Sequence, residues 1–172
     1  MLYYIRRTIS RALSPQHKLR CTTRTWNELL RQLHIRGGNQ RESGAYLLGG
    51  IDPDGRRRIS CIAYYDDLDP NALSLGHIKL DRRRLGSLWS ECRRHQLDVI
   101  ADVHTHPGRA IQSSSDRANP MLPELGHLAI IIPNYARPPV HKKDVGIFEY
   151  QGRQRWLALS TEESSLYLAP WA

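Results

Sequence analysis

The sequence predicts an α/β or α+β domain in which helices flank a mixed β-sheet. The first observation is size: 172 residues, of which 40% are hydrophobic, suit one domain with a substantial core. The second is order, because strand-like apolar runs alternate with segments whose apolar residues follow helical spacing. The third is the lack of any internal repeat or low-complexity tract. Together these favour one layered domain.

The ends of the chain are set apart from this domain. Residues 1–17 contain no acidic residue and predict a basic arm or a first strand, with an organelle-targeting segment as the alternative. We place the domain at residues 18–160 and a C-terminal tail at 161–172. No apolar run reaches the roughly 20 residues that a membrane-spanning helix needs.

Charge and cysteine content indicate the class of partner and the cellular compartment. The formal net charge of +8 would suit an acidic partner, but the basic residues are scattered among acids, which favours an ordinary solvated surface over a nucleic-acid site. The three cysteines are far apart and form no disulfide framework. This pattern is typical of a reducing compartment, so we expect the cytoplasm.

The first half of the domain predicts a strand, a helix and a β-hairpin. Thr25 to Glu28 matches a capping box, and Gly37 with Gly38 would end the helix. Trp26 is expected in the core. In order, the predicted segments are a strand at 18–22, a helix from Thr25, a buried strand at 45–51, a DPDG turn and a returning strand at 58–65.

The second half predicts one helix and four further strands. Asp81 can cap a helix whose apolar positions, Leu85, Leu88, Trp89 and Cys92, follow helical spacing, and Trp89 is expected in the core. The other predicted segments are a loop at 66–71, strands at 99–106 and 127–133, a proline-rich loop at 134–144 and a hairpin at 145–159.

A pair of histidines closes the strand that reads VIADVHTH. Alternate residues of a strand share a face, so His104 and His106 would present two imidazoles side by side. Asp116 could return from a helix start as a third ligand. Two histidines and one carboxylate leave a zinc position open for water, as in catalytic sites. Paired histidines without a metal are also common in proteins, so the HxH pattern alone is weak evidence for a metal site.

Other polar residues near this pair have two interpretations each. Glu42 precedes a buried strand and is either a solvent-facing end residue or a general base. Asp102 would lie on the same strand face as the histidines. It either supports one of the metal ligands or is simply a solvated strand residue. His127 would be a core-edge or supporting residue. We expect Ser114 and Ser115 to cap the helix that carries Asp116.

Three segments together resemble the JAB/MPN family in its metal-binding JAMM form: ESGAYLLGG, HTHP and SSSD. The resemblance extends over about residues 25–150. It implies a curved sheet flanked by helices, similar to cytidine deaminases, and a zinc peptidase or isopeptidase that removes ubiquitin or ubiquitin-like proteins. By this resemblance His104, His106 and Asp116 bind Zn²⁺, Glu42 is the general base, and Ser113 donates to the oxyanion.

The loop after HTHP departs from the family pattern. The segment from Pro107 to Gln112 is one residue shorter than usual, so Ser114 fits the spacing from the histidines and Ser113 fits the spacing to Asp116. We favour Ser113, because a loop absorbs a deletion more easily than a helix start does.

The short chain resembles the prokaryotic, deubiquitinase-like branch. That branch implies a ubiquitin-like protein and its conjugates as substrates, and activating and conjugating enzymes as partners, in several cases within antiphage defence. The alternatives are a nucleic-acid-associated relative similar to RadC and a non-catalytic MPN scaffold. Thr105 is unusual for the RadC-like branch, and scaffolds lack the ligands. A nucleoside deaminase is excluded because its P-C-x-x-C signature is absent.

Overall fold

A computed structural model describes residues 18–159 and 166–169 of the chain. Eight strands form one mixed sheet in the order β7-β6-β5-β4-β2-β3-β1-β8. The strands are β1 Leu19–Thr22, β2 Gly44–Ile51, β3 Arg57–Tyr64, β4 Asp98–Thr105, β5 Leu128–Ile132, β6 Gly146–Tyr150, β7 Trp156–Leu159 and β8 Leu166–Ala169. The helices are α1 Thr23–Gly37, α2 Tyr65–Leu68, α3 Gly86–His95 and α4 Ser114–Ala118, with short 3₁₀ turns at Arg82–Leu85, Asn134–Ala136 and Lys142–Asp144.

The pairing confirms the predicted mixed sheet. Strand β4 runs parallel to β5, and β1 runs parallel to both β3 and β8. The other neighbouring strands are antiparallel. Strand β8 lies within the segment that we expected to be a tail. The predicted N-terminal arm or strand falls outside the described residues.

Two hydrophobic clusters cover the two faces of the sheet. Leu47 belongs to the cluster that includes Trp26, Leu29 and Leu33 of α1, and Tyr46 belongs to the cluster that includes Leu88 of α3. Because neighbouring residues of β2 point to opposite faces, the two clusters lie on opposite sides of the sheet. The sheet is therefore the middle layer, as the alternation of elements predicted.

The start of α1 differs from the prediction. Thr22 is the N-cap, and its side chain accepts the backbone N–H of Thr25 at 3.0 Å. The capping box predicted at Thr25 is wrong: Thr25 lies within the first turn, and Glu28 pairs with Arg31 instead. Two threonines with similar capping ability stand three residues apart, and only Thr22 has the extended backbone that a cap needs. The helix ends as predicted, with Gly38 left-handed at φ 58°.

Two further elements correct the sequence interpretation. Trp89 was expected in the core but is 36% exposed, because it lies at the margin of the stripe of Leu85, Leu88 and Cys92. The short helix α2 begins at Tyr65, the last residue of the predicted strand 58–65, extends into the predicted loop 66–71, and buries Tyr65. Asp81 caps the 3₁₀ turn that leads into α3 rather than α3 itself, accepting the N–H of Arg83 at 3.0 Å.

A glycine allows the strands that frame the site to approach closely. Gly44 pairs with His104 across β2 and β4. A Cβ at Gly44 would lie 2.5 Å from the Tyr65 ring and 2.6 Å from the Val103 carbonyl oxygen. Glycine at this position thus lets the start of β2, with Glu42 just before it, lie beside the end of β4. Among the described residues, no helix combines the length and apolar character that a membrane crossing requires.

Candidate metal centre

The two histidines lie at the end of β4, where their rings share one face. His104 Nε2 and His106 Nε2 are 3.0 Å apart, and both residues are buried. The backbone on either side is fixed by neighbouring segments. Thr105 donates its N–H to the Ser43 carbonyl at 2.9 Å, and His106 donates to the Ile132 carbonyl at 2.9 Å. The strand pattern therefore produces the predicted side-by-side imidazoles.

Asp116 reaches the histidines from the first turn of α4. Its Oδ1 lies 3.5 Å from His104 Nε2, and its Oδ2 lies 3.3 Å from His106 Nε2. A reciprocal capping box fixes the helix start: Ser113 donates its N–H to Asp116 Oδ2 at 2.6 Å, and Asp116 donates its N–H to Ser113 Oγ at 3.2 Å. Ser113 is thus the cap.

The prediction that Ser114 and Ser115 cap this helix is wrong. Ser113 has the extended backbone of a cap, with φ −72° and ψ 170°, whereas Ser114 and Ser115 lie inside the helix. The three consecutive serines offered several compatible registers, and the partner at the third helical position, Asp116, selects Ser113.

Together these residues offer a donor set that fits a metal ion. One ligand atom each from His104, His106 and Asp116 lies within 4.8 Å of the others. Two imidazole nitrogens and one carboxylate oxygen suit zinc and related transition metals and leave a coordination position free. Glu42 lies beside this set, with its Oε1 3.9 Å from His106 Nε2. Its backbone N–H is fixed on the Gly76 carbonyl at 3.0 Å.

A buried pair lies behind His104. Asp102 is 1% exposed, and its Oδ1 lies 2.6 Å from His127 Nε2. Its Oδ2 lies 3.8 Å from His104 Nδ1 and has no hydrogen-bond partner. The sequence allowed two interpretations each for Asp102 and His127, and the burial of Asp102 excludes the solvated one for that residue. Their contact depends on the parallel pairing of β4 with β5, which local sequence does not reveal.

Comparisons with known proteins identify the family. A family model described as prokaryotic homologues of the JAB domain matches residues 24–144, which is more than half of the chain. This chain belongs to that JAB-domain family. A protein of Sinorhizobium fredii named Probable metalloprotease y4jG is 33% identical over 60 residues, which are 35% of this chain and 37% of that protein. The chain thus matches little more than a third of that relative's length.

Solved structures share the fold. Protein DSY2949 of Desulfitobacterium hafniense superposes with a TM-score of 0.65 at 17% identity, covering 89% of this chain and 94% of that one. A protein of Salinibacter ruber gives a TM-score of 0.50 at 17% identity over 81% of this chain and 87% of that one. At such identities the likeness concerns the fold alone.

Within the JAB-domain site, His104 and the neighbouring carboxylates of Asp102 and Asp116 shift one another's pKa values. Burial lowers the pKa of His104, but the nearby carboxylates of Asp102 and Asp116 outweigh it and raise the pKa to about 9. Burial raises the pKa of Asp116, yet His104, His106 and the Ser113 N–H together hold it well below its usual range. The raised pKa favours the protonated form of His104 in the metal-free site, and a bound cation would compete with that proton.

The site opens into a cleft of about 630 Å³. Glu42, Ser113 and Asp116 line the cleft together with residues that the sequence did not assign to the site, namely Tyr65, residues 77–80, Gln112 and Trp156. Trp156 starts β7 and donates its Nε1–H to the Arg117 carbonyl at 3.3 Å. No sequence motif marks these residues, because they come from separate segments that only the fold brings together.

Proposed function

We propose that this JAB domain is a zinc-dependent peptidase or isopeptidase that cuts after the C-terminal tail of a ubiquitin-like protein. The observation that carries the proposal is the clustering of His104, His106 and Asp116 beside Glu42, at the edge of an open cleft. The metalloprotease name of the S. fredii relative supports the same chemistry.

Each residue would have one role in the reaction. His104, His106 and Asp116 would hold the zinc, which supplies Lewis acidity for activating water and polarising a carbonyl. Glu42 would accept the proton of the attacking water and later deliver it to the leaving amine. Ser113 uses its Oγ as an acceptor for the Asp116 N–H, so its hydroxyl hydrogen is left to donate to the developing oxyanion.

Family membership and the open cleft support the proposed substrate class. An extended tail ending in glycine could approach the ligand cluster closely, since glycine carries no side chain to clash. Only residues 119–127 connect α4 to β5, so little chain near Asp116 is available to grip whatever follows the scissile bond. We therefore propose selectivity for the modifier tail, and a cytoplasmic setting with the modifier's activating and conjugating enzymes, including antiphage systems.

Cleavage assays test this proposal. Purified protein is incubated with a panel of ubiquitin-like proteins, each fused through its tail to a reporter, and mass spectrometry locates the cut. Cleavage directly after the tail, lost on chelation and in Glu42→Gln, is the expected result. A second panel varies the reporter and should be cut nearly uniformly. No cleavage of any fusion by zinc-loaded protein, together with salt-dependent DNA binding, would favour the RadC-like alternative.

A further inference from the structure

The buried pair behind His104 has a specific relation to that ligand. An imidazole that binds metal through Nε2 carries its proton on Nδ1, and this N–H requires an acceptor. Asp102 Oδ2 is 3.8 Å from His104 Nδ1, while the other oxygen, Oδ1, is engaged by His127 at 2.6 Å. Asp102 Oδ2 is fully buried and lacks a hydrogen-bond partner. A small movement of the ring would satisfy both groups.

His127 is built into the fold as a rigid support. Its backbone N–H donates to the Glu124 carbonyl at 3.0 Å, and its carbonyl accepts the Tyr150 N–H at 2.8 Å. Its side chain and that of Asp102 are each 2% exposed, so water does not compete for their contact. With Oδ1 fixed on His127, rotation of the carboxylate is restricted, and Oδ2 remains on the side of His104.

We propose that His127 and Asp102 act as one positioning unit, which holds His104 in the Nδ1-protonated form and in the orientation that binds the metal. This inference rests on the metal centre of the proposed function. It assigns a role to His127, which touches none of the three ligands directly. Loss of such a supporting partner typically weakens metal binding about 10- to 100-fold.

The test measures metal affinity, which needs no substrate. Zinc dissociation constants are determined by competition with a chromophoric chelator for wild type, Asp102→Asn, His127→Phe and the double variant. Each single substitution should weaken binding about 10-fold or more. The double variant should bind no more weakly than the weaker single variant, because two parts of one unit are not additive. His127→Gln keeps an N–H donor and should restore most of the affinity.

A matched control separates positioning from general destabilisation. Asp69 is also a buried carboxylate, 3% exposed, but it accepts the N–H groups of Asn71 and Asp81 and pairs with Arg84. Asp69→Asn should lower the thermal unfolding midpoint without changing zinc affinity. The visible spectrum of the Co²⁺-substituted protein should change in Asp102→Asn and stay unchanged in Asp69→Asn.

The outcomes distinguish this inference from the proposed function. Wild-type zinc affinity and cobalt spectra in both Asp102→Asn and His127→Phe would overturn the positioning unit and leave the metal centre standing. Additive losses would mean two separate contributions and would also overturn it. If His127→Phe does not fold, as shown by circular dichroism, Asp102→Asn decides alone, and wild-type zinc affinity in that variant overturns the positioning unit. A wild-type protein that binds no zinc would instead reject the proposed function.

Discussion

Helices α1 and α4 begin with the same kind of contact, but they depend on it differently. In α1 the Thr22 hydroxyl accepts the Thr25 N–H at 3.0 Å, and in α4 the Ser113 hydroxyl accepts the Asp116 N–H at 3.2 Å. Helix α1 has 15 residues and buries Trp26, Leu29 and Leu33. Helix α4 has five residues and buries none.

The difference shows what each cap contributes. Packing against the sheet holds α1 in place, so its cap adds only a local increment of stability. Helix α4 lacks such packing, and its position depends on the reciprocal capping box and on the contacts that Asp116 makes with the two histidines. Changes at the start of α1 should therefore alter stability, whereas changes at the start of α4 should alter the site.

The largest contrast is expected for the acidic residues of the two first turns. Asp116→Ala removes a ligand atom and one side of the capping box, so bound zinc and activity should be lost together. Glu28→Ala in α1 removes only exposed contacts with Arg31 and Gln32 and should retain both zinc and activity. Metal content measured by mass spectrometry checks the pair. Full zinc occupancy in Asp116→Ala would remove Asp116 from the ligand set.

The next comparison is between Glu42, which lies beside the ligand cluster, and Asp116, which belongs to it. Glu42→Gln preserves the side-chain volume but removes the proton acceptor, so turnover should fall by roughly 10²-fold or more while zinc stays bound. Stopped assays of product formation, run with parallel metal analysis, give both values. Zinc loss comparable to that in Asp116→Ala would instead make Glu42 a ligand.

The two capping hydroxyls form the closest matched pair. Ser113→Ala and Thr22→Ala should each reduce the free energy of unfolding by about 1 kcal/mol. Only Ser113→Ala should also lower kcat, by up to roughly 10²-fold with little change in KM, because an oxyanion donor acts mainly in the transition state. Ser114→Ala should be milder, and the reverse order would assign the oxyanion contact to Ser114.

These helix starts also show how far local sequence could predict the structure. The period-two pattern of β4 predicted the side-by-side histidines, because strand geometry alone determines it. The caps were misassigned at both helices, because neighbouring hydroxyls such as Thr22 and Thr25 offer alternative registers that only the backbone conformation resolves.

Contacts between distant segments were beyond such reasoning. Asp102 meets His127 only because β4 pairs with β5 in one register, and Trp156 reaches the cleft only through the final hairpin. The exposure of Trp89 likewise depends on how far the packing against α3 extends. Long-range pairing, rather than local propensity, determines these features.

The smallest expected contrast is in the pH dependence of stability. The pKa of His104 near α4 is raised from 6.5 to about 9, so its protonated form stabilises the metal-free fold fully below pH 6.5, and this contribution is lost as the pH rises through 9. Glu28 of α1 has its pKa lowered from 4.5 to about 2 by Arg31 and Gln32, so its contribution is present above pH 4.5, is lost only in acid and is screened by solvent. Urea unfolding of metal-free protein should therefore show stability falling between pH 6.5 and 9. Saturating zinc should reverse this trend, because binding displaces the His104 proton and strengthens as the pH rises. Constant stability of the metal-free protein across that range would show that His104 gains no proton on folding, and Glu28→Ala should leave the profile unchanged there.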